Sequence, residues 1–76
     1  MMHFPLMING KTIYQVYIGN IGGQDNGVCK YQVRVIDYPM GEESYNFVIE
    51  HDRRDGCWKL VELVCAKIHE IDMKDD

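Results

Sequence analysis

Val28-Cys29-Lys30-Tyr31-Gln32-Val33-Arg34-Val35-Ile36-Asp37-Tyr38 decides the fold. Tyr31, Val33 and Val35 alternate with Lys30, Gln32 and Arg34, and a period of two in β-branched and aromatic residues marks a strand with one dry face and one wet face. Tyr45, Phe47 and Ile49 repeat the pattern against Asn46, Val48 and Glu50. Between the two runs, Pro39-Met40-Gly41-Glu42-Glu43 reads as a turn.

Upstream, Asn9-Gly10 separates Phe4–Ile8 from Thr12–Ile18. Both residues tolerate positive φ, so two strands joined by a tight hairpin turn are expected. Gly19 to Gly27 has the composition of a long loop, with too few large apolar groups to pack. Downstream, Arg53-Arg54-Asp55-Gly56 supplies another turn.

Beyond it, Cys57, Val61, Val64, Cys65, Ile68 and Ile71 recur at spacings of three and four, with Lys67, Glu70 and Lys74 off that stripe. The spacing predicts a helix over Leu63–Asp72. Residues 57–62 fit either a fifth strand, since Trp58 and Leu60 alternate, or the first turns of the helix. The expected architecture is α+β: an antiparallel meander of four to five strands with one C-terminal helix packed on one face. Tyr14, Val16, Ile18, Tyr31, Val33, Val35, Tyr45, Phe47 and Ile49 form its inner face. Ile13, Gln15, Tyr17, Gln32, Arg34, Ile36, Asn46, Val48 and Glu50 form its outer one.

At 76 residues the chain has room for a single small domain spanning 1–76 and no second. Eight basic against twelve acidic residues give a net charge of -4, the wrong sign for holding a phosphate backbone, so no nucleic-acid partner is expected. Tyr14, Tyr31 and Tyr45 with Lys11, Lys30 and Arg34 would suit base stacking, but the tyrosines share parity with the core. The acids concentrate in the second half, which suits an inhibitor or antitoxin-like role against a basic target.

Met1-Met2-His3-Phe4-Pro5 has no basic run and no long apolar segment, so neither a leader nor a membrane anchor is expected. Three cysteines cannot all pair, which favours reduced thiols and a cytoplasmic location.

Chemical motifs are sparse. Cys65 and His69, four apart on one helix, with His51 and Cys57 around the preceding turn, are the residue types of a zinc or thiol-sensor site, although no paired-cysteine motif accompanies them. Nucleophilic catalysis by the same cysteines would need an oxyanion stabiliser and a cleft, and neither is visible. Glu42–Glu43 and Glu50 with Asp52 are acids of a solvated turn rather than an acid–base pair. Gly10-Lys11-Thr12 echoes the end of a phosphate-binding loop, but Pro5 stands where that motif requires glycine.

The expectation is therefore a non-enzymatic interaction module that uses no cofactor. It would bind a protein partner or a second copy of itself, as a homodimer, through the outer sheet face or a sheet edge. Ile13, Tyr17, Arg34, Ile36, Tyr38 and Val48 are the expected contact residues.

Overall fold

The computed structural model describes residues 2–23, 26–38 and 40–74, with the side chain of residue 74 excepted. Pro39 of the expected turn, and Gln24 and Asp25 of the expected loop, lie outside these. The chain runs β1 (Met2–Ile8), β2 (Thr12–Gly23), β3 (Val28–Asp37), β4 (Glu43–Asp52), a 3-10 turn (Arg53–Asp55) and α1 (Cys57–Lys74). The strands form one antiparallel sheet in sequential order β1-β2-β3-β4. The expected α+β meander with a C-terminal helix is the fold observed.

Asn9 and Gly10 both take positive φ, 56° and 67°, and Lys11 N–H donates to the Ile8 carbonyl to close the β1–β2 turn. The loop expected over residues 19–27 is mostly strand. β2 continues through Gly23 by pairing Gly22 with Lys30 and Gly23 with Cys29, after a shift in register that leaves Ile21 unopposed. Backbone pairing thus overrides a composition poor in strand formers. At about 3.3 Å per residue, twelve residues of β2 span about 40 Å, which matches the longest dimension of the molecule, 40 Å.

The helix begins at Cys57, six residues earlier than the expected Leu63, so residues 57–62 are its first turns rather than a fifth strand. Gly56, at φ 86°, ends the 3-10 turn and releases the chain into the helix. Asp52 holds that turn by accepting from the Arg54 backbone N–H, 2.9 Å.

Parity sorts the sheet as expected. Tyr14, Val16, Ile18, Val33 and Val35 are buried on the inner face against Leu60, Val64 and Ile68 of α1, with Ile8 at the β1 end. The buried stripe of the helix therefore runs through Leu60, Val64 and Ile68. Val61, Cys65 and Ile71 are half-buried at its flanks, and Cys57, expected in the stripe, is exposed.

Widths explain the pattern across the sheet. A helix with its side chains is about 10 Å across, whereas four strands about 4.8 Å apart span about 14 Å between the outer strand axes. One helix cannot seal the whole width: Ile8 on β1 and His51 on β4 are buried, but Tyr31 on β3, expected on the inner face, stays half-buried. Met2, Phe4 and Leu6 on β1, and Tyr45, Phe47 and Ile49 on β4, pack against the core yet stay half-buried. At one end the helix is tied down by Tyr14, whose hydroxyl donates to Asp72 at 3.1 Å and whose ring meets Tyr45 edge-on at 6.2 Å.

Candidate functional site

The outer face of the sheet is set out by its register. In the first cross-strand row Met7 opposes Ile13. Tyr38 N–H donates to the Ile13 carbonyl at 3.1 Å, which carries the register one step past the end of β3. The second row is Pro5, Gln15, Ile36 and Glu43; the third is His3, Tyr17, Arg34 and Asn46; the fourth holds Gln32 opposite Val48.

Apolar side chains gather in the first two rows. Met7 and Tyr38 are each 57% exposed, Ile13 and Ile36 are half-buried, and Pro5 is exposed beside them. Met40, also exposed, follows in the β3–β4 connection. Met7, Pro5, Ile13, Ile36 and Tyr38 form an apolar corner that no element of the described chain covers.

The third row is polar and already engaged. His3 stacks on Tyr17 with centroids 4.3 Å apart and planes 7° from parallel, while its Nε2 donates to Gln15 Oε1. Arg34 Nε donates to Glu43 Oε1 at 2.7 Å, and Asn46 Nδ2 donates to Glu43 Oε2 at 3.2 Å. These two bonds hold the Glu43 carboxyl below its ordinary pKa, the arginine contributing most. Val48, 53% exposed, lies beyond this strip.

The six expected contact residues are accordingly not one patch. Ile13, Ile36 and Tyr38 share the apolar corner, Tyr17 and Arg34 form its polar border, and Val48 stands apart. Met7 and Pro5 belong to the corner and escaped the sequence-based expectation. The Met7 signal was present, since it opposes Ile13 once Asn9-Gly10 fixes the hairpin register.

The expected metal-ligating residues are dispersed. His51 is buried, with Nε2 donating to the Gly56 carbonyl at 3.0 Å, and it shares one cavity wall with the exposed Cys57. Cys65 lies two turns further along α1, half-buried, where burial pushes its thiol pKa up. His69 is exposed one turn beyond. Among the described residues no group of three or more His, Cys, Asp or Glu is placed to hold a metal ion. Among them, too, no helix is long and apolar enough to cross a membrane.

Two further groups have shifted acidity. Asp52 is brought down to about 2, chiefly by the Arg54 guanidinium, which donates through Nε at 2.9 Å, and then by the Arg54 backbone N–H. The Tyr31 hydroxyl is pushed up by burial and by the neighbouring Cys29 thiol. Neither group adjoins the apolar corner. No protein family, curated protein or solved structure matches the chain.

Proposed function

We propose that the protein is a non-catalytic interaction module that assembles with a second copy of itself through the apolar corner of its outer sheet face. The carrying observation is the clustering of Met7, Ile13, Ile36 and Tyr38 in adjacent register rows, on the side of the sheet away from the helix. Contiguous apolar area rimmed by polar groups is the anatomy of a protein contact.

A second copy suits this corner because its rim carries both signs of charge. Arg34 and Glu43 sit side by side at the border, and an isologous two-fold contact sets each such pair against its own complement. Size agrees as well. A contact of standard size hides about 800 Å² per partner, about 15% of the 5276 Å² of accessible surface. Self-association would also assist a chain of this length, whose core burial and conformational entropy nearly cancel.

Mass action supplies the test. For a dimer whose folding is coupled to assembly, Tm rises with protein concentration. A melt that stays put over a hundredfold dilution, together with a monomeric mass, would overturn the proposal.

A further inference from the structure

We propose that the cavity at the start of α1 binds an amphipathic monocarboxylate, its carboxylate at Arg53 and its apolar body running past Met2 to Trp58. This site is on the helix side of the sheet and does not depend on self-association. The cavity has a volume of about 480 Å³, lined by apolar Met2, Ile18 and Leu60 and by polar Asn20, Tyr31, His51 and Arg53. An apolar body with a few convergent polar groups is the usual composition of a small-molecule site, and this volume lies within the usual range.

Its sign is set by how the adjacent arginines are disposed. Asp52 takes Arg54 in a two-pronged pair, with Nε donating to Oδ1 at 2.9 Å and Nη2 donating to Oδ2. Arg53 has no ion pair among the described residues and lines the cavity. Among the described residues no Asp or Glu lines it, although the chain as a whole carries -4. The first turn of α1, which opens onto the cavity, also lacks an acidic residue. The Arg53 guanidinium beside the Asn20, Tyr31 and His51 side chains matches a planar carboxylate.

The apolar body has a path. A second groove of about 370 Å³ is lined by Met2, His3, Phe4, Cys57, Trp58 and Val61. It shares Met2 and Cys57 with the first, so the two adjoin at those side chains. It exists because a single helix cannot seal the whole width of the sheet. Trp58 lines it while 78% exposed, an expensive position for an indole.

Trp58, the single tryptophan, reports on occupancy directly. Titrated with decanoate, the protein should show a saturable blue shift of its emission as the chain covers the indole. Decanol, of equal length but neutral, should bind about tenfold more weakly, and Arg53→Gln should weaken decanoate by a similar factor. The Arg53 side chain is exposed, so that variant should keep the wild-type circular dichroism spectrum.

A second readout needs no mutation. Saturating decanoate should slow alkylation of Cys57 by N-ethylmaleimide and leave Cys65 unaffected. A shift that never saturates, equal binding of decanol and decanoate, indifference to Arg53→Gln, or an unprotected Cys57 would each overturn the proposal.

Discussion

Truncating Ile68 to alanine tests how the helix is held on the sheet. Ile68 has no accessible surface and is among the largest fully enclosed side chains, packed with Val16, Val33 and Val35 across the layer boundary. Removing it should cost about 3–4 kcal/mol, the transfer term of the lost carbons plus the cavity left behind. A domain of 76 residues has about 4–11 kcal/mol of stability in total, so the loss is a large part of the whole. In urea, with a slope of about 1 kcal/mol per molar for a chain this small, the midpoint should fall by about 3 M.

Leu63→Ala is the matched control. Leu63 lies on the same helix but is 40% exposed. Part of what alanine gives up there is returned as helix propensity, so the change should stay within about 1 kcal/mol. Both variants should be unfolded at one protein concentration, with circular dichroism followed at the helix band, because assembly couples to stability. If the two midpoints fall by equal amounts, α1 is not seated through Leu60, Val64 and Ile68, and the two-layer packing described above is wrong.

Three further outcomes are expected. Asp52 has its carboxyl held at about 2 against an ordinary 3.8. A lowered folded-state pKa stabilises above the unfolded value, so its contribution should be complete above about pH 4 and lost as pH falls through about 2; Asp52→Asn should flatten that acid limb in denaturant titrations across the same range. Gly10→Ala should destabilise by about 1 kcal/mol, because φ is +67° while a Cβ would meet nothing within 4 Å, so strain alone acts. Of the three thiols, exposed Cys57 should alkylate first, then half-buried Cys65, whose pKa is raised, and buried Cys29 last. Peptide mapping after a timed pulse would show that order.

The sheet was legible because its strands obey a strict alternation that only one pairing register satisfies. Val33 and Val35 had to be dry if Arg34 was wet, and Asn9-Gly10 had to turn between flanking apolar runs. The helix start was less legible. Trp58 and Leu60 alternate like strand residues, and only the continuation from Leu60 through Val64 to Ile68 shows that Leu60 belongs to the stripe. Cys57 was misplaced because spacing alone puts it on that stripe, while the end of the helix opens onto a cavity rather than the core.

The connection after Ile18 was misjudged for a different reason. Glycines there suggest a loop, but β3 supplies hydrogen-bonding partners that carry β2 on to Gly23. The candidate surface was readable as a face and not as a patch. Parity names which residues point outward, whereas grouping Met7 with Tyr38 and separating Val48 require the register of three strand pairs at once.

Sedimentation equilibrium on the wild-type chain, Tyr38→Glu and Val48→Glu bears most directly on the apolar corner as the site of assembly. The wild type and Val48→Glu should both sediment at twice the 8.9 kDa chain mass, and Tyr38→Glu, with its charge set into the contact, as a folded monomer. A wild type that is monomeric at every concentration, or a Tyr38→Glu variant as dimeric as its parent, would contradict it.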